Sequence, residues 1–191
     1  MPTQTPGIPR VALCGQARCG TSMMMRVLQA GGLTVDQVGT PLDPFTATMM
    51  REPYGMFENF PGVKALQFIN SFKLIDSTKF SSVPADYKFI FIGRSLAGIE
   101  ASWNAIAAVY NTLPNAAFPI AEKLAAVQAG YNAWQVILNA NPNLFLKLDY
   151  DTVCANPAGM AAAVAAFIDT DSFSFNQSAA SAVDLTLYIQ R

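Results

Sequence analysis

The stretch VALCGQARCGTS, residues 11–22, decides the fold. Its apolar run Val11-Ala12-Leu13-Cys14 stops at Gly15, as a buried parallel strand feeding a loop does. From Thr21 onward Met24, Val27 and Leu28 recur at helical spacing, and Gly31-Gly32 is a helix stop. The opening unit reads strand, loop, helix. The first N–H groups of a helix lack partners and carry partial positive charge, so small residues entering one form a natural anion cradle. Here Gly15, Ala17 and Gly20 let the backbone come close, Thr21 and Ser22 offer hydroxyls, and Arg18 brings charge. A nucleoside-triphosphate loop carries lysine directly after its second glycine, where this chain has Thr21; its base stands three positions earlier, which disfavours triphosphate chemistry. By glycine spacing alone the stretch is equally an ordinary tight turn between strand and helix.

Outward from the loop, strand and helix signals alternate. YKFIFIG, 87–93, is a run of β-formers closed by glycine, and LFLKL, 144–148, is a second buried strand. Residues 97–110 are helical in composition. A longer helix over 120–140 carries Ile120, Leu124, Val127, Tyr131, Trp134 and Leu138 as one apolar stripe. PAGMAAAVAAFI, 157–168, opens with proline in a first helical turn. Residues 63–72 read as a short helix, 73–76 as a strand, and 40–62 as irregular. The alternation predicts an α/β fold of three layers, a parallel sheet with helices on both faces, in a single domain over 1–191. The length of 191 residues suits one sizeable core rather than two.

Composition narrows the function. Apolar residues make up 52% and charged residues 13%, so the chain folds around a large core. A net charge of −1 gives no electrostatic footprint for nucleic acid or an anionic membrane surface, and any anion site must be local. Residues 101–121 and 124–146 each lack a charged residue, which raises the question of a membrane span, but Asn and Gln stud them and Pro114, Pro119 and Pro142 interrupt them, which argues against a membrane-spanning helix. The first ten residues lack the apolar core of a secretory signal. Cys14, Cys19 and Cys154 form no C-x-x-C pair and the chain has no histidine, so neither a disulfide framework nor a structural metal is expected, and the expected compartment is reducing cytoplasm. The few charges suit a buried self-contact and hence a homo-oligomer.

A second cluster reinforces the first. Arg94 follows the 87–93 strand and Ser102 lies eight residues later in the next helix, which sets Arg94 at the strand end where ligands of open α/β sheets bind. A planar guanidinium suits a phosphate because it donates paired hydrogen bonds. Ala17-Arg18-Cys19-Gly20-Thr21-Ser22 resembles the 5′-phosphosulfate loop of the sulfotransferases, P-[KR]-[SC]-G-[TS]-[ST], with alanine for proline. The Arg94-to-Ser102 spacing is similar to that family's 3′-phosphate motif. EPYGMFEN, 52–59, resembles a G-Y-F-E-N/D stretch of bacterial sulfotransferase-like proteins, and YDTVCANP, 150–157, resembles their Y-E-D-L-x-x-N-P. The terminal SAVDLTLYIQR resembles V-D-P-S-L-Y-R without its proline, so the loop that closes over the nucleotide in relatives is expected to be missing or supplied by a partner chain.

The resemblance implies 3′-phosphoadenosine 5′-phosphosulfate as the donor, no metal, and a small-molecule, lipid or glycan acceptor with a hydroxyl or amine. It implies a donor site of Arg18, Cys19, Gly20, Thr21, Ser22, Arg94 and Ser102, with Arg18 also catalytic and Glu58 as the base. Asp76 and Lys79 stand where relatives carry K-D-P-R. Cys19, at a helix start beside Arg18, is expected to favour its thiolate. Met23, Met24, Met25, Trp103 and Trp134 read as core. Two alternatives stay open: a non-catalytic sulfotransferase-like nucleotide-binding or assembly module, suggested by the short chain and absent histidine, and a nucleotide kinase, which Thr21 disfavours.

Overall fold

Parallel pairing organises the chain. In the computed structural model, which describes residues 10–16, 18–33, 65–69, 87–110 and 120–183, β1 (Arg10–Gly15) lies between β2 (Ala65–Ile69) and β3 (Tyr87–Gly93). β3 in turn pairs with β4 (Phe145–Asp149), so the strand order is β2-β1-β3-β4 and every pairing is parallel. Parallel neighbours need crossovers, and helices covering both faces leave the strands apolar on each side. The register makes this concrete: Leu13 stands opposite Ile90 and Ile90 opposite Leu146, while Ala12 stands opposite Phe89 and Phe89 opposite Phe145.

Side chains alternate along a strand, so these two rows face opposite ways. On one face Val11, Leu13, Ile90 and Ile92 join a buried cluster with Met24, Val27 and Leu28 of α1 (Thr21–Ala30) and Val164 and Ile168 of α5 (Pro157–Ile168). On the other face Trp134 of α3 (Ile120–Ala140) meets Phe91 and Phe145 at ring separations of 5.0 and 6.3 Å. The result is the three-layer α/β architecture that the alternation of elements implies. The remaining described helices are α2 (Leu96–Tyr110), the short α4 (Tyr150–Ala155) and a 3-10 segment, Gln177–Ala182. Among the described residues no helix is long and apolar enough to cross a membrane.

Local signals account for most element ends. α1 stops as its double glycine predicts: Gly32 takes a left-handed φ of 102°, and the N–H groups of Gly32 and Leu33 donate back to the Gln29 and Leu28 carbonyls. The ANP of YDTVCANP turns the chain from one helix into the next, because Asn156 Oδ1 accepts from the Gly159 N–H at 2.9 Å and Pro157 opens α5. Asp149 does the same for α4, accepting from the N–H and hydroxyl of Thr152. Met23, Met24, Met25 and Trp134 are buried and Trp103 packs partly buried against the core, as expected. One element departs from expectation: residues 65–69, read as part of a helix, form strand β2. The segments 40–62, 73–76 and 184–191 lie outside the described residues.

Candidate functional site

Because β1 and β3 run parallel and Gly15 pairs with Ile92, both strands end at the same sheet edge. The loop after β1 therefore opens beside Arg94, which follows β3. A Cβ on Gly15 would come within 2.8 Å of both the Cys19 sulfur and the Ile92 carbonyl oxygen, so the loop folds back over the neighbouring strand only with glycine there.

Gln16 anchors that loop. It is 3% exposed, and its side-chain Nε2 donates to the Val127 carbonyl oxygen of α3 at 2.6 Å. Its own N–H donates to Cys19 Sγ at 3.0 Å. Cys19 Sγ lies 2.8 Å from the Gln16 carbonyl oxygen and 3.0 Å from that of Ile92, and its one proton serves both. The thiol thus faces the protein, at 1% exposure, and burial pushes its pKa up to about 12 against the opposing pull of backbone N–H groups and the Arg94 charge. This corrects the expectation of a thiolate: desolvation outweighs the helix-start field. Cys19 shapes the loop from beneath.

Arg18 sits at the crest with a left-handed φ of 73°. Its Nε donates to Ser102 Oγ on α2 at 2.9 Å, so the residues expected at the two ends of one ligand meet across 84 positions of sequence. Arg94 closes the group: its Nη1 donates to the Arg18 carbonyl oxygen at 3.4 Å, and its guanidinium carbon lies 4.2 Å from the centre of the Tyr150 ring. Arg94 Nε is buried with no hydrogen-bond partner among the described residues, and it lies against Gly98, where a Cβ would come within 2.8 Å. Two arginines gathered at one sheet edge place positive charge there, which favours an anion.

Gly20, with a φ of 94°, is the N-cap of α1 and brings no capping side chain to its first-turn amides, the groups that favour an anion at a helix start. Thr21 is 3% exposed with its methyl turned toward Gly15, which sets its hydroxyl in a buried setting rather than an open one. Ser22 stands in the first turn of α1. Glu58, Asp76 and Lys79 lie outside the described residues, as does Ala17. Among the described residues no three His, Cys, Asp or Glu side chains gather as a metal-binding group.

Two further residues belong to this group although the expected donor site does not include them, Gln16 and Tyr150, the latter the first residue of the YDTVCANP stretch. The signal for the first is a polar residue at the mouth of a strand that is otherwise buried. The signal for the second is its position at the end of β4, the sheet edge shared with the loop.

This arrangement of sheet, loop and flanking helices is the fold of sulfotransferases. A sulfotransferase from Alicyclobacillus acidocaldarius superposes with a TM-score of 0.56 at 13% identity, over 90% of this chain and 85% of that one. Mouse sulfotransferase SULT7A1, solved in complex with PAP, gives 0.57 at 13% identity over 93% of this chain, which spans 63% of the mouse protein. No protein-family model and no curated protein sequence matches the chain. The likeness is therefore one of fold.

Proposed function

We propose that this chain transfers a sulfuryl group from 3′-phosphoadenosine 5′-phosphosulfate to the hydroxyl or amine of an acceptor. The observation that carries the reading is the meeting of Arg18 with Ser102 and of Arg94 with the Arg18 carbonyl, at the mouth of β1 and β3. Two segments with independent likeness to nucleotide-binding motifs come together at one sheet edge. The fold shared with a PAP-bound sulfotransferase supports the same donor.

In this reading the amides at the start of α1 and the Arg18 guanidinium hold the 5′ end of the donor, while Arg94 and Ser102 hold the 3′-phosphate. The acceptor oxygen or nitrogen attacks sulfur in line; the bond from sulfur to the bridging oxygen breaks, and its electron pair stays on the leaving phosphate. Arg18 stabilises the charge growing on that oxygen, the kind of preorganised contact worth about 10²–10³ in rate. The acceptor's proton passes to a base, a role that the resemblance of residues 52–59 assigns to Glu58. Loss of Gly20 would obstruct the whole arrangement, since a Cβ there would meet the Tyr150 ring at 2.5 Å.

Calorimetric titration tests the donor site. The protein is expected to bind 3′-phosphoadenosine 5′-phosphate and to prefer it to ATP with Mg²⁺; the opposite preference would restore the kinase alternative. Turnover of labelled donor over a panel of phenols, lipids and glycans then separates an enzyme from a binding module. Arg18→Ala is expected to lower kcat by about 10²–10³, and Glu58→Gln to lower it with the affinity for bisphosphate intact. Tight binding without transfer to any acceptor would favour the non-catalytic module.

A further inference from the structure

Tyr150 touches both halves of the site without facing solvent. The residue is 5% exposed, and one ring edge lies so close to the Gly20 backbone that an added Cβ would meet two ring carbons at 2.5 and 2.9 Å. Over its face lies the Arg94 guanidinium, 4.2 Å from ring centre to guanidinium carbon. From over the ring, Arg94 Nη1 donates to the Arg18 carbonyl oxygen, so one guanidinium joins the aromatic ring to the crest of the loop. Gly98 closes the remaining side, its missing Cβ leaving room for Arg94 Nε. Arg94 is thus held in a slot with an aromatic wall and a glycine wall.

Building on the function proposed above, we infer that Tyr150 is a positioning residue for donor selection: its ring aims Arg94 at the 3′-phosphate and keeps the phosphate loop in register with it. It does so through Arg94, since its own ring is packed between loop and guanidinium. The contacts to Gly20 and Arg94 are those of the ring itself. The ring is the working part and the hydroxyl is dispensable. An aromatic wall therefore discriminates bisphosphates from monophosphates, because only a ligand with a 3′-phosphate uses the residue that the wall holds.

The test compares 3′-phosphoadenosine 5′-phosphate with adenosine 5′-phosphate on the full chain by calorimetry, in wild type, Tyr150→Phe, Tyr150→Leu, Arg94→Ala and the double variant Arg94→Ala with Tyr150→Leu. Tyr150→Phe should stay within about twofold of wild type for both nucleotides. Tyr150→Leu should lose about tenfold for the bisphosphate, the scale of a partly desolvated cation–π contact, and under about threefold for the monophosphate. In the Arg94→Ala background the Leu substitution should change bisphosphate affinity no further. Equal losses for the two nucleotides, a Phe variant as weak as the Leu variant, or an undiminished Leu effect without Arg94 would each overturn the role. A wild type that ignores the bisphosphate sinks the donor-site reading instead, and the stack has its own readout. The Arg94 Nε–H resonance, assigned by its loss in Arg94→Ala, should be shifted upfield by the ring in wild type and Tyr150→Phe; an unshifted signal in ligand-free wild type overturns the slot even if Tyr150→Leu fails to fold.

Discussion

Cys19 shows how one side chain's direction changes its chemistry. At the start of a helix and beside an arginine, a thiol pointing outward would ionise early; turned inward against two carbonyl oxygens, it has a pKa raised from 9.0 to about 12. The linkage has a definite sign. An acid whose folded pKa is raised leaves the unfolded state holding fewer protons at high pH, so stability is intact below about pH 9 and is lost as pH climbs through 9 toward 12. Urea midpoints measured from pH 8 to 11 should fall more steeply for wild type than for Cys19→Ala, and the native thiol should resist iodoacetamide at pH 8. Cys14, also buried and with its pKa raised by burial, adds to the same slope, so a variant that replaces both should be the flattest. Arg18, Arg94 and Ser102 are legible in sequence as candidates because residue type and spacing suit a phosphate, and the fold brings them together at one sheet edge. The roles of Cys19, Gln16 and Tyr150 are not, since each depends on which way a side chain turns once distant elements have met.

Elements are legible where a local rule dictates them. Residues 157–168 carry their start in Asn156-Pro157 and their length in an apolar, alanine-rich run, and the helix forms over those residues. The strand at 87–93 announces itself by β-formers ending in glycine. β2 is different. In VKALQFINSF apolar residues recur every third position, which suits a helix, and the parallel register with β1 overrides that period over residues 65–69. Nothing local records the partner strand. Capping is a property of this scale too: Asn156→Ala removes the acceptor for the Gly159 N–H and should lower stability by about 1 kcal/mol in denaturant unfolding, with nucleotide binding unchanged. Gly31 at the end of α1 is more severe, because the Phe175 ring occupies the space a Cβ would take. Gly31→Ala should loosen the loop that leads into the 3-10 segment and expose the Phe175 backbone to faster amide exchange, whereas an unchanged exchange rate would mean that the ring relocates within the core.

For the whole molecule, the proposed anion site ties ligand binding to stability. Ligand that binds only the folded state stabilises it by about 2.7 kcal/mol at one hundred times its Kd, which for a chain of this size raises the thermal midpoint by roughly 5 to 10 °C. The 3′,5′-bisphosphate should produce that shift in wild type and a much smaller one in Arg94→Ala; equal shifts would remove Arg94 from the site. The sheet order carries one more consequence. Among the described strands the first made, β1, is an interior one, and its neighbours are encoded at residues 65–69 and 87–93. During synthesis the loop after β1 therefore emerges from the ribosome before the partner strands that flank it. Nascent chains halted ahead of residue 93 should stay open to protease, and the pocket's geometry waits on Val127 and Tyr150, which follow later still.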